Sequence, residues 1–236
     1  MMNDKYQPLN VVAVFAHPDD EAGAVGTLMN HSDRGDNVYV IMLTHGENAS
    51  SLIGSHDEIT LIRQGHVNQI EKIIGAQYRL MNLPDSGVFP SVENAKHVAR
   101  IFKQLKPDII ITWGKSKTMG VGHPDHRYTH DIVLDAISYA RYNEDNNTLE
   151  PHRKPISLYT PNLGDDPNTQ NCVYVDVTEQ HDRIMEFFNV YEEAYGEWPV
   201  RAYKLAGMLM TGRMAYVKYA ESFQKINWRT ARKYLD

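Results

Sequence analysis

Short apolar runs alternate with longer amphipathic stretches along most of the chain. Val11-Val12-Ala13-Val14-Phe15-Ala16 contains no polar residue, the pattern of a strand buried on both faces of a parallel sheet. A helix is predicted from Gly23 to Arg34, ended by Gly35, and a second apolar strand from Val38 to Leu43. Residues 44–57 are rich in Ser, Gly, Asn and His and read as a long loop. Helical spacing then runs from Glu58 to Ile74 and stops at Gly75. A strand follows at Tyr78 to Leu83, then a helix from Ser91 to Leu105 with Ser91 as N-cap. Asp108 to Trp113 is the fourth strand, Gly114 to Gly122 a loop, and Pro124 to Tyr142 the next helix. Beyond a polar connection at 143–155, strands are expected at Ile156 to Tyr159 and Val173 to Val177. Helices are expected at Glu179 to Tyr195 and Arg201 to Tyr219. With no repeat, low-complexity tract or linker, the β-α alternation implies one α/β domain over residues 1–236. The expected form is a Rossmann-like three-layer sandwich with a mostly parallel sheet in the order 3-2-1-4-5.

Composition narrows the function. At 42% hydrophobic and 23% charged residues the chain is globular in type. Cys172 is the only cysteine, which excludes an intramolecular disulfide and a multi-thiolate zinc site. A net charge of -6 argues against a nucleic-acid partner. Met1 to Asn10 is polar, and no apolar run nears the ~18 residues of a membrane helix, so a cytoplasmic protein without membrane association is expected. Eleven histidines are numerous for this length and become the question.

Two polar clusters gather several of them. The first strand runs into His17-Pro18-Asp19-Asp20-Glu21, and the fourth strand is followed by His123-Pro124-Asp125-His126. One Asp on a strand-to-helix turn is ordinary capping. A His with two adjacent Asp is not, because neighbouring carboxylates repel and call for positive charge, which a metal ion supplies. In the expected sheet, strands 1 and 4 are neighbours where the order reverses, and ligands bind there outside the carboxyl ends of the strands. The topology therefore brings both clusters to one crevice. Two histidines and one carboxylate leave a coordination position open for water, the arrangement of a catalytic zinc site. Spacing alone does not separate His123 from His126 as ligand. His130, one turn beyond His126, is read as packing, and His45, His66 and His97 as surface or pocket-wall residues. Glu21 reads as a first-turn acid matched to the helix dipole. Gly23-Ala24-Val25-Gly26 lacks the full spacing of a nucleotide fingerprint and is discarded.

These motifs resemble the PIG-L/LmbE-like zinc de-N-acetylases. Further points of similarity are Thr44-His45-Gly46-Glu47, Arg63, Leu83-Pro84-Asp85 and Ala220-Glu221-Ser222-Phe223. The resemblance implies that His17, Asp20 and His126 bind one Zn²⁺ per chain, or Fe²⁺ or another divalent ion. It implies Asp19 as general base, His123 as the group that steadies the tetrahedral intermediate and Asp125 as its orienter. It places Arg63 and Asp85 against a small acetamido-sugar substrate, whose acetyl group would be hydrolysed off. Two positions depart from the family pattern: His66 stands where Arg-x-x-Glu is common, and Val121 is apolar where some relatives place a polar or aromatic group. The alternatives are a hydrolase of another small amide and a noncatalytic metal-binding module. The C-terminal helices offer a surface for a homo-oligomer.

Overall fold

The apolar run that opens the chain becomes β1 (Asn10–Phe15), and every residue from Val11 to Phe15 is fully buried. The computed structural model describes residues 6–115, 122–145, 147–162, 172–196 and 199–226. After β1 come a 3-10 turn (Asp20–Gly23), α1 (Val25–Arg34), β2 (Asn37–Met42), α2 (His56–Ile74) and β3 (Gln77–Leu80). They are followed by α3 (Val92–Leu105), β4 (Ile109–Thr112), α4 (Pro124–Tyr139), β5 (Ser157–Pro161) and β6 (Cys172–Asp176). The last elements are α5 (His181–Tyr195), α6 (Pro199–Met214) and β7 (Ala220–Lys225).

The sheet order is β3-β2-β1-β4-β5-β7-β6. The first five strands are parallel and stand in the expected order 3-2-1-4-5. β7 is an addition to that expectation. It pairs antiparallel with both β5 and β6 and makes the sheet mixed. Alternate residues of β1 serve two cores. Val11, Ala13 and Phe15 pack with Leu28, Ile70, Phe187 and Tyr191 from α1, α2 and α5. Val12 and Val14 pack with Val98, Phe102, Ile132 and Val133 from α3 and α4. The result is three layers, with β1 and β4 in register at the centre (Val11 opposite Ile109, Val14 opposite Thr112). Both strands therefore end at the same level, which is what brings the two polar clusters together.

Local sequence explains the ends of these elements. Ser55 and Glu58 form a reciprocal capping box at α2, and Ser91 accepts the Asn94 N–H at α3. α1 has no side-chain cap at Ala24. Instead Glu221 of β7 accepts the N–H groups of Gly26 and Thr27, at 2.9 and 2.8 Å, and the Thr27 hydroxyl at 2.6 Å. The helix terminus that a phosphate would need is thus filled by the protein's own carboxylate. Among the described residues no helix is long and apolar enough to cross a membrane.

Candidate active site

The turn after β1 is folded by Asp20. Its Oδ2 accepts the backbone N–H groups of Ala16 and His17, at 3.1 and 2.9 Å, and draws the chain back on itself. The same oxygen lies 3.5 Å from His17 Nδ1, and Oδ1 lies 3.1 Å from His126 Nε2. His17 Nε2 faces two further carboxylates, Asp85 at 3.2 Å and Asp125 at 3.3 Å. Burial pulls the His17 imidazole down, but Asp125, Asp20 and Asp85 outweigh it and push it up to about 12. Against its own burial, Asp20 is held well below the usual carboxylate range by His126 and His17.

The second cluster enters from the start of α4. His123 is its N-cap residue, Pro124 its first residue, and Asp125 is buried in its first turn. The expected orientation of His123 by the Asp125 carboxylate takes a different form. His123 Nδ1 accepts the Asp125 backbone N–H at 3.2 Å, and the Asp125 carboxylate is 3.9 Å from that nitrogen. A neutral His123 therefore carries its proton on Nε2. Burial and the neighbouring His17 lower its pKa and favour that neutral form. The Asp125 carboxylate instead accepts the Ser86 N–H at 2.8 Å and contacts His17.

Asp19 occupies the left-handed region, with φ 107° and ψ -20°. Glu21 accepts its backbone N–H at 2.9 Å and is itself held by the hydroxyls of Tyr191 (2.9 Å) and Tyr78 (3.2 Å). Glu21 is the first-turn acid expected, in the 3-10 turn, and it adds a role the sequence did not show: it is fully buried and fixes the loop that carries Asp19. Burial, reinforced by Asp19, raises Glu21 to about 7. The Asp19 carboxylate is held at Oδ2, which accepts from Arg63 Nη1 at 3.1 Å and from the Tyr195 hydroxyl at 3.4 Å. Burial raises Asp19 to about 6 against the opposing Arg63 charge.

A cavity of about 600 Å³ joins these groups. His17, Asp19, Asp20, Arg63, Asp85, His123 and His126 all line it, together with Asn48, Ser51, Trp113, Tyr195, Tyr203 and Lys204. Arg63 and Asp85 thus face the cavity, but each also has a partner inside the protein, Asp19 and His17 respectively. His130 is turned to the end of β4, where its Nδ1 bonds the Trp113 carbonyl at 2.7 Å. His97 is exposed, and His45 bonds Asn82. His66 is buried against Tyr191 and Tyr195, and burial lowers it to about 4. Val121 lies outside the described residues. Trp113 and Tyr195 belong to the site without any motif to announce them: their partners come from other elements, and only the fold brings them in.

The donor set fits a divalent cation. Nitrogen atoms of His17, His123 and His126 lie within 4.8 Å of one another, and so do donor atoms of His17, Asp85, His123 and Asp125. Imidazole and carboxylate without thiolate suit Zn²⁺ or Fe²⁺.

Comparison with known proteins places this geometry in a lineage. The PIG-L family model, described as GlcNAc-PI de-N-acetylase, matches residues 12–137, more than half of the chain and both clusters. The chain belongs to the PIG-L family. It is 24% identical over 230 residues to a diacetylchitobiose deacetylase of Thermococcus kodakarensis, covering 91% of this chain and 82% of that one. It is 26% identical over 168 residues to a 1D-myo-inositol 2-acetamido-2-deoxy-alpha-D-glucopyranoside deacetylase of Catenulispora acidiphila, covering 59% and 55%. The chain spans about half the length of several of the curated relatives it matches. Its PIG-L fold is also that of the solved 4-carboxy-2-hydroxymuconate hydratase GalB of Pseudomonas putida KT2440, with a TM-score of 0.79 and 16% identity over 95% of this chain and 99% of that one.

Proposed function

We propose that this PIG-L protein is a metal-dependent amide hydrolase that removes the acetyl group from an N-acetylglucosamine-type sugar or glycoside. The observation that carries this reading is Asp19. It is superfluous for holding an ion, yet it sits beside the donor cluster with Oδ2 anchored by Arg63 and Tyr195 in the cavity wall. The names of the two deacetylase relatives supply the acetamido sugar. The GalB likeness concerns the fold and leaves the reaction to be argued from the site.

His17, Asp20 and His126 would hold the ion, with Asp20 lying against both imidazoles. When bound, a divalent ion supplies a Lewis acid that lowers the pKa of water toward ~7 and polarises an amide carbonyl. The protein does the rest. Asp19 accepts the proton of the attacking water as the new C–O bond forms at the amide carbon. His123 donates from Nε2 to the developing oxyanion, its Nδ1 being engaged by the Asp125 N–H. The proton held by Asp19 then passes to the departing nitrogen as the C–N bond breaks, leaving acetate and a free amine. Arg63 and Asp85, with Asn48 and Ser51, offer polar contacts to sugar hydroxyls along the cavity.

The test is free-amine release from a panel of N-acetylglucosamine derivatives by metal-stripped protein, by protein with Zn²⁺ restored, and by Asp19→Asn. The side-chain amide in Asp19→Asn keeps an acceptor for Arg63 but cannot act as a base. Turnover should require metal and fall by roughly 10²–10⁴ in Asp19→Asn, with metal content unchanged. Wild-type turnover in that variant would sink the mechanism. Stoichiometric metal with no release across the panel would favour a non-sugar amide or a binding module.

A further inference from the structure

We infer that Trp113 is a positioning residue of the metal centre, whose indole N–H and ring face set the orientation of Asp20 and His126. The inference rests on the reading above that these two residues hold an ion. Trp113 follows β4, and the parallel pairing of β4 with β1 carries it over the turn after β1. There its Nε1–H donates to Asp20 Oδ2 at 3.0 Å, across 93 residues of sequence. Counting the N–H groups of Ala16 and His17, that oxygen receives three donors. Three donors satisfy Oδ2, so Asp20 turns Oδ1 toward His126 Nε2. A carboxylate held in this way presents one oxygen to an ion.

The same indole controls the imidazole. The rings of Trp113 and His126 stack with centroids 4.2 Å apart and an interplanar angle of 9°. Rotation of the imidazole about its Cβ–Cγ bond breaks that stack, so the plane in which Nε2 points is fixed. Trp113 is in turn held from two sides. Phe15 meets it edge-on at 5.8 Å, and His130 bonds its carbonyl at 2.7 Å. His130 lies one turn beyond His126 on α4, so the helix that carries the ligand also grips the strand end that carries its positioner.

A Trp that only filled space would be replaceable by Phe. A residue that orients ligands would not be, because loss of such an outer partner typically weakens metal binding 10–100-fold. The experiment compares wild type, Trp113→Phe and Trp113→Leu. Zn²⁺ affinity is measured on metal-stripped protein by competition with a chromophoric chelator, and the visible spectrum is recorded with Co²⁺ in place of Zn²⁺. Trp113→Phe keeps a flat ring and loses the N–H; it should bind Zn²⁺ about tenfold more weakly and shift the cobalt bands. Trp113→Leu loses both contacts and should bind more weakly again. Wild-type affinity in Trp113→Phe overturns the inference, whether or not the Leu variant folds. A weaker constant with unshifted cobalt bands also counts against it, since the ligand geometry would then be unperturbed. Failure of the underlying reading looks different: the wild type itself would take up neither Zn²⁺ nor Co²⁺.

Discussion

The backbone of Asp19 adopts a conformation that L-residues avoid, at a cost of about 1–3 kcal/mol. Its surroundings over-determine it. Glu21 takes its N–H, and Arg63 and Tyr195 take its carboxylate. Arg63 is in turn packed against Gly46, whose φ of 69° and missing side chain make room for the guanidinium. A Cβ at Gly46 would stand 2.5 Å from Arg63 Nη2 and 2.6 Å from Nε. Gly46→Ala should therefore displace Arg63 and release Asp19 Oδ2 while leaving the proposed ligands His17, Asp20 and His126 untouched. The expected result is a fall in kcat of about tenfold to a hundredfold, with Zn²⁺ affinity unchanged. Steady-state kinetics beside a chelator titration checks it, and unchanged kcat would show that Arg63 does not position Asp19.

At the level of elements, the most informative strand is β7, because its sequence hides it. Ala220–Lys225 has no clean alternation, and Glu221 sits at a buried position where a strand pattern calls for an apolar residue. The carboxylate is there to cap α1, a contact across 194 residues that no local pattern encodes. β1 and β4, by contrast, were legible from unbroken apolar runs, and the site was legible because its motifs follow those two strands, the first directly and the second after a loop. Trp113 was visible only as the end of a strand, since its partners Asp20 and His126 come from other elements. Glu221→Ala should leave Gly26 and Thr27 N–H groups without partners and destabilise the protein by about 3 kcal/mol, read from the urea midpoint at constant slope.

A second tie between elements should depend on pH. Asp36, between α1 and β2, accepts from the Tyr6 hydroxyl, the Leu9 N–H and Arg34, and contacts His31. Burial pushes its carboxyl up, but Tyr6, Leu9, His31 and Arg34 outweigh it and hold it below the usual range. A depressed folded-state pKa means that the ionised form is favoured by folding. The stability it adds is full above the unfolded value near ~4 and fades as the pH drops toward the folded one. Asp36→Asn should therefore lower the urea midpoint more at pH 7 than at pH 3, part of the contribution being already lost below the unfolded value. A gap of equal size at both pH values would refute the charge-linked part of this account.

At the scale of the whole molecule, the sheet order decides what the site can be. β1 and β4 are adjacent where the order reverses, so His17, Asp20 and His126 meet although a hundred residues separate the clusters. Each cluster alone is a crowd of like charges or a capped helix start; together they supply the ligands proposed above, carried by two separate elements. A ligand bound across two elements stabilises the native state, because the unfolded chain offers no such set. With Zn²⁺ at about 100 times its dissociation constant the gain is about 2.7 kcal/mol, which for a chain of this length raises Tm by roughly 5–10 °C. Metal-stripped protein should therefore melt lower and recover on titration with Zn²⁺. Asp20→Asn should lose most of that response, since it removes the anionic ligand from between the two imidazoles. Asp19→Asn should keep it, because that carboxylate is assigned to proton transfer and not to holding the ion. If both variants responded alike to Zn²⁺ in a thermal melt, the division of labour between these adjacent aspartates would fail, and the assignment of base and ligand along the turn after β1 would fail with it.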